Sequence, residues 1–171
     1  MNPKVYKTER LLIKATDEED AAFILALLNS PNWQKYIGGR NLHSKEQAKE
    51  YIKQKMLPQL KRLGFSNYTI IRKSDNAKIG ICGLYDREGL DGIDIGFALF
   101  EEYEGNGFAY EASKKIVDLA INEFQIKKIL AITTDANISS QKLLKKLGLK
   151  LIGPITLPND EEEMLLYALD C

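Results

Sequence analysis

Apolar residues fall into two kinds of run along the chain: short β-rich stretches, and longer segments in which they return every three or four positions. Arg10-Leu11-Leu12-Ile13-Lys14-Ala15 reads as a short strand. Asp17 can cap a helix running to about Asn29, with Ala21, Ile24, Leu25 and Leu28 on one face, and Ser30-Pro31 ends it. An irregular stretch carries Trp33, Tyr36, Gly38 and Gly39. Ser44 with Gln47 three residues on predicts a capping box for a second helix through about Leu57, which Pro58 should kink or end.

Tyr68 to Ile71 and Lys78 to Leu84 are strands flanking the turn Ser74-Asp75-Asn76, and Asp91 to Leu99 continues the meander. A helix from Phe108 to about Phe124 has a buried stripe of Ala112, Ile116, Leu119, Ala120 and Phe124. Lys128 to Thr134 is β-rich, and a helix from Ile138 to about Leu147 stops at Gly148. Leu149 to Ile152 and Met164 to Leu169 are strands around the polar tip Asn159 to Glu163. The order is β-α-α-β-β-β-α-β-α-β-β. It is an α/β fold with a mixed central sheet: the β-α-β piece implies two parallel strands joined by a right-handed crossover, and the rest is antiparallel.

Composition narrows the function. The 171 residues suit one domain with a proper core, and no linker or repeat divides them. Lys plus Arg (24) balances Asp plus Glu (24), which argues against a nucleic-acid binder held by phosphate contacts. Cys82 and Cys171 make neither a disulfide framework nor a metal-ligand set, and with His43 the only histidine a multi-histidine metal site is excluded. No apolar run reaches membrane-spanning length, and Met1-Asn2-Pro3-Lys4 opens no signal-peptide core. A soluble cytoplasmic protein is the expectation.

The most informative run is Glu104-Gly105-Asn106-Gly107-Phe108-Ala109, between the strand ending at Leu99 and the helix beginning at Phe108. Glycines leave backbone N–H groups uncovered, and a helix N-terminus adds unpaired donors and partial positive charge. The arrangement suits a phosphate or pyrophosphate, although an ordinary tight turn has the same glycines. It is neither a P-loop nor a Rossmann fingerprint, since Gly-Lys-Ser/Thr and a third glycine are missing.

The element order and four motifs resemble the GNAT superfamily of N-acetyltransferases, and within it the RimJ/RimL-type branch that acetylates ribosomal proteins. The motifs are Thr8-Glu9-Arg10-Leu11-Leu12-Ile13, Asp94-Ile95-Gly96-Phe97, Gly105-Asn106-Gly107-Phe108-Ala109-Tyr110-Glu111-Ala112, and Asn137-Ile138-Ser139-Ser140 followed by Leu147-Gly148-Leu149. The resemblance implies an enzyme that carries an acetyl group from acetyl-CoA directly to a primary amine, of a protein N-terminus, a polyamine or another small molecule, as a monomer or homodimer. A GNAT-fold domain that binds CoA or a partner without turnover is the alternative. The chain departs from the family at Glu104, where the loop opens with Gln or Arg, and at Leu144, where many members carry a general-acid Tyr.

By this resemblance Gly105, Asn106, Gly107, Phe108 and Ala109 form the pyrophosphate loop. The strand at Phe97, Ala98 and Leu99 pairs with the pantetheine arm and polarises the thioester, and Asn137 hydrogen-bonds the pantetheine unless it serves only as a helix-entry residue. Ser140 lies near the cofactor sulfur, as a proton relay or as a first-turn serine bonding backbone. Asp94 is the first choice for the base, through a water, against a solvent-facing strand residue. Glu111 competes but is explained by the helix dipole, His43 sits beside a helix cap, and Cys82 reads as core. Trp33 and Tyr36 either wall the acceptor pocket or plug the core. The acidic tip Asp160 to Glu163 either draws in a cationic acceptor or is simply solvated.

Overall fold

The computed structural model describes residues 4–37 and 42–171, so Gly38 and Gly39 lie outside the described residues. Eight strands form one sheet in the order β1-β2-β3-β4-β5-β6-β8-β7. They are β1 (Val5–Lys7), β2 (Leu11–Ala15), β3 (Asn67–Arg72), β4 (Ala77–Tyr85), β5 (Ile93–Leu99), β6 (Lys128–Thr133), β7 (Lys150–Ile155) and β8 (Met164–Asp170). Only β5 and β6 run parallel, joined through a long helix as the β-α-β reading requires.

The helices are α1 (Ala21–Leu28), α2 (Pro31–Tyr36), α3 (Lys45–Tyr51), α4 (Leu57–Leu63), α5 (Phe108–Asn122) and α6 (Ile138–Lys146). The sheet separates two apolar clusters. On one face Leu11, Ile13, Ile70, Ile95 and Leu99 pack with Ala112, Ile116 and Ala120 of α5 and Leu144 of α6. On the other, Ile81 packs with Ile24, Leu27 and Leu28 of α1 and with Ala48, Ile52 and Met56. Among the described residues no helix is long and apolar enough to cross a membrane.

Four expectations need correction. Asp17 caps a 3₁₀ turn (Glu18–Asp20), not α1 itself, and the tighter turn shifts the buried face of α1 to Ala21, Ile24, Leu27 and Leu28, leaving Leu25 half-buried. α1 ends before Ser30-Pro31 as predicted, but the stretch with Trp33 and Tyr36 is not irregular: Pro31 opens α2 as its first residue, where its missing N–H costs nothing. Ser44 accepts from the Gln47 N–H as predicted, but Gln47 Oε1 returns to the N–H of His43. Pro58 does not end the second helical stretch. A π turn at Ile52–Met56 widens the helix ahead of it, relieving the clash a proline makes with the preceding turn, and α4 continues to the left-handed Gly64 (φ 85°).

The α1 face also carries a buried polar chain. Asn67 Nδ2 donates to Thr16 Oγ1 (2.8 Å), the hydroxyls of Thr16 and Thr69 share a hydrogen bond (2.9 Å), and Thr69 donates to Asp20 Oδ2 (3.1 Å). Asp20 is fully buried between the ammonium groups of Lys78 (2.6 Å) and Lys14 (3.2 Å). Burial pushes its pKa up, but the Lys78 bond, the Asp17 N–H and Lys14 outweigh it and hold the carboxyl below its ordinary value. Removing one member of a buried ion pair leaves uncompensated charge, so Asp20→Ala should cost about 3 kcal/mol, read from the urea midpoint at pH 7. Because the folded-state pKa is depressed, the gap to wild type should be full above the ordinary Asp value of about 3.9 and close as pH falls below it. A constant gap across that range would remove the ionic explanation.

Candidate active site

The site is built around a place where the sheet opens. β5 stays in register with β4 along its length, from Gly80↔Leu99 to Tyr85↔Asp94, while β6 follows β8 from Lys128↔Asp170 to Thr133↔Leu165. Between them β5 and β6 pair only at Ile93↔Ile129 and Asp94↔Leu130. Beyond Asp94 each strand follows its outer neighbour and a gap opens. The Phe100 N–H donates to the Ile79 carbonyl (3.0 Å). Strand alternation therefore turns the backbone groups of Ala98 and Gly96 toward β4 and those of Phe97 and Leu99 into the gap. The side chain of Phe97 packs toward α5 and that of Ala98 toward α1.

The glycine loop closes one end of this gap. Gly105 and Gly107 both have φ 79°, a left-handed conformation that other residues adopt only at a cost, and Gly107 is the N-cap of α5. Among the described residues no side chain caps that helix, so its first N–H groups have no partner from a cap. Glu104 points away from the loop: Asn32 of α2 donates to its Oε1 (2.9 Å). Phe108 is a core residue at 6% exposure.

Arg10 is the residue that the sequence reading left without a role. Its Nη1 donates to the Asn106 carbonyl (2.9 Å), its guanidinium lies over the Phe108 ring (4.3 Å), and its Nε donates to Glu111 Oε1 (2.7 Å). The backbone N–H of Arg10 and the hydroxyl of Thr8 both donate to Glu111 Oε2. Burial raises the Glu111 pKa, but these bonds more than offset it and hold the carboxyl below its usual range. Glu111 thus ties Thr8 and Arg10 to the first turn of α5, beside the loop. The motif Thr8-Glu9-Arg10 carried the signal, but its partners lie about a hundred residues on.

The other wall runs from the end of β6 into α6. Asn137 is the N-cap of α6 and its Oδ1 accepts from the Ser140 N–H (3.2 Å). Both side chains are half-buried. Thr134 Oγ1, between them and β6, is buried with no hydrogen-bond partner among the described residues, an unmade bond that a polar ligand in the gap could satisfy. Leu144 is core at 1% exposure, and Tyr167 donates its hydroxyl to Gln141 (2.9 Å), so neither is a free acid.

Asp94 stands at the apex of the gap, on the face opposite α5. It is 1% exposed, not solvent-facing, and its ion pair is with Arg87 of the β4–β5 connection (3.4 and 3.5 Å). Burial raises its pKa and Arg87 opposes that; burial wins. Tyr85 lies beside it across the strand pair and donates to Asn67. A Cβ at Gly83 or Gly96 would come within 2.7 or 2.9 Å of the Tyr85 side chain, so the two glycines make room for its ring against the sheet. Trp33 packs on the α1 cluster, yet its Nε1 is buried without a partner among the described residues, whereas Tyr36 is half-buried beside Lys35. His43 is exposed at the α3 cap, and burial pushes the Cys82 thiol up to about 12, which makes it an inert core residue.

Comparison with known proteins agrees with this geometry. Residues 10–150 match the family model for the acetyltransferase (GNAT) domain. The chain is 31% identical over 148 residues to the uncharacterized N-acetyltransferase p20 of Bacillus licheniformis, covering 85% of this chain and 82% of that one. The uncharacterized N-acetyltransferase YnaD of Bacillus subtilis is 25% identical over 146 residues, with 85% of this chain and 82% of that one covered. Among solved structures, an acetyltransferase from Agrobacterium tumefaciens superposes with a TM-score of 0.83 at 21% identity, covering 100% and 96% of the two chains. RimL, a ribosomal L7/L12 α-N-protein acetyltransferase solved with coenzyme A, superposes at 0.82 with 18% identity and 98% of each chain covered. The chain therefore belongs to the GNAT family of acetyltransferases.

Proposed function

We propose that this acetyltransferase carries the acetyl group of acetyl-CoA directly to a primary amine within a ternary complex. The observation that supports it best is the gap between β5 and β6, bounded by the uncapped start of α5 and by the unpartnered Thr134 hydroxyl. Backbone N–H groups at Gly105, Gly107 and Ala109 would take the pyrophosphate. Asn137 and Thr134 would take the pantetheine amides. Donors on β5 at Phe97 or Leu99 suit the thioester oxygen as it gains charge.

The amine must be neutral to attack. An α-amine has a pKa of about 8, so a carboxylate of raised pKa such as Asp94 can accept its proton, directly or through water. The departing thiolate has a pKa of about 8.5 by analogy with cysteine and leaves without a strong acid, so Ser140 need only relay a proton. Trp33, whose indole N–H has no partner among the described residues, would border the acceptor side. The test is thiol release from acetyl-CoA with a panel of amines, alongside the melting temperature with CoA alone. Turnover on an amine together with a CoA-dependent rise in melting temperature is expected. A rise without turnover on any amine would favour a domain that only binds CoA.

The acidic tip between β7 and β8 borders the same region, since Gly89 of the β4–β5 connection lies against Pro158. Asp160 and Glu161 to Glu163 are exposed. Such a rim would raise the local concentration of a cationic acceptor. The acceptor KM should rise with ionic strength while that for acetyl-CoA changes little, and replacing Glu161, Glu162 and Glu163 by Gln should mimic high salt. An unchanged acceptor KM in the triple variant at low salt would reduce the tip to a solvated turn.

A further inference from the structure

The ion pair of Asp94 and Arg87 is correctly oriented and too long. Nε faces Oδ1 at 3.4 Å and Nη2 faces Oδ2 at 3.5 Å, a two-pronged arrangement, whereas a charge-assisted pair closes to about 2.7–2.9 Å. The Asp94 side chain is 2% exposed and that of Arg87 is 43% exposed. Among the described residues Arg87 makes no other ion pair, and Asp94 has no other side-chain partner. The guanidinium therefore stands between a buried carboxylate and solvent without being locked to it. It belongs to the β4–β5 connection, whose Gly89 and Gly92 have φ 91° and 146° and which is backed by Pro158. Tyr85, its ring over Gly96 and its hydroxyl tied to Asn67, fixes the neighbouring floor.

A loose pair of opposite charges is a template for a ligand carrying the opposite pair. An amine nitrogen donates to a carboxylate, and a carbonyl or carboxylate oxygen accepts from a guanidinium. In an N–Cα–C=O unit the nitrogen and oxygen lie within about 3–3.5 Å of each other, close to the spacing of the Arg87 and Asp94 contacts.

We propose that Arg87 selects the acceptor: as the acceptor amine settles on Asp94, the guanidinium binds the oxygen of the same N–Cα–C=O unit, so the substrate class is an α-amino acid, its amide or a peptide N-terminus. This rests on the reading of Asp94 as the group that meets the amine. A polyamine offers no oxygen beside its amine and leaves Arg87 unused, and an aminoglycoside offers there a hydroxyl in place of the carbonyl. The planar donor fork of arginine suits the role, and a lysine can keep only the charge.

The test uses three acceptors with the full-length enzyme: phenylalaninamide, phenethylamine, which lacks the carbonyl, and spermidine. The amines differ in basicity, but that difference cancels when the ratio of their kcat/KM values is compared between variants. Wild type should favour phenylalaninamide. Arg87→Ala should erase most of that preference by raising its KM about 10-fold or more, the scale of a hydrogen bond to a charged group, while the acetyl-CoA KM stays put. Arg87→Lys should recover part of it. The proposal is overturned if the preference survives in Arg87→Ala, if kcat falls equally on both aromatic amines with unchanged KM, or if turnover is confined to spermidine or absent on all three. The base assignment fails separately: full kcat in Asp94→Asn with the Arg87-dependent preference intact would remove Asp94 from proton transfer and leave Arg87 as the selector.

Discussion

Gly107→Glu should abolish tight CoA binding while leaving a folded protein. Gly107 holds φ 79° at the N-cap of α5, and among the described residues nothing but Arg10 Nη2, at 3.4 Å, comes near a Cβ added there. The fold has room for the side chain. The cost of a left-handed non-glycine residue is about 1–2 kcal/mol, which in a chain of this size lowers the melting temperature by several degrees. For the ligand the change is much larger. The helix start is an anion site because its N–H groups are bare and its dipole is positive. A carboxylate there cancels the field and fills the space. The expected result is at least about a 100-fold loss of CoA affinity by calorimetry, equivalent to about 2.7 kcal/mol. Gly107→Ala carries the strain without the charge and should lose much less. Equal losses in the two variants would mean that backbone geometry, not electrostatics, holds the ligand. Unchanged affinity in a folded Gly107→Glu protein would move the pyrophosphate to another part of the chain.

The fold was readable because its strands and long helices are strongly patterned, and misread where tertiary context rules. β5, α5 and β6 lie within two residues of their predicted bounds, since apolar period and glycine punctuation agree there. β1 was missed because it is three residues long, largely exposed, and exists only as an edge partner of β2. α2 was missed because Pro31 stops one helix and starts the next, two readings that local sequence does not separate. The Phe124 end of α5 was overrun by two residues, as helix ends often are.

The site divides in the same way. The glycine loop was legible because its chemistry is local: glycine conformation and bare N–H groups are set by the residues themselves. The partners that decide a side chain's role were not. Glu104, where the chain departs from the family's loop, has its carboxylate held by Asn32 of α2, a partner seventy-two residues back that the local sequence does not reveal. Glu111 was matched to the helix dipole, and its bonds to Arg10 and Thr8, which no local pattern announces, are what hold its carboxyl below the usual range. Asp94 was the first choice for the base, against a solvent-facing strand residue; its burial excludes the second reading, and its partner Arg87 lies seven residues back on a loop with no periodicity to reveal it. Trp33 and Tyr36, treated as a pair, part company: the indole packs on the α1 cluster and the phenol does not.

Asp94→Asn should lower kcat by about 100-fold or more, the usual contribution of a positioned base, with little change in the KM for acetyl-CoA. The asparagine keeps the size of the side chain and loses its charge and basicity. Removing the charge leaves Arg87 without its partner, but Arg87 is 43% exposed and can turn to water, so the fold should be spared. The pH dependence gives the sharper reading. Burial holds the Asp94 carboxyl above its ordinary pKa despite Arg87. Transfer needs Asp94 ionised and the amine neutral. In wild type the rate should therefore fall with pH as the amine protonates, and fall more steeply once pH drops through the raised Asp94 pKa. Asp94→Asn should keep the first dependence and lose the second. The variant's rate should therefore still rise as pH approaches the amine pKa of about 8, as in wild type, because both need the free amine. A variant with the wild-type rate and both limbs of the profile would assign the proton to bulk water and leave Asp94 as the counter-charge of Arg87.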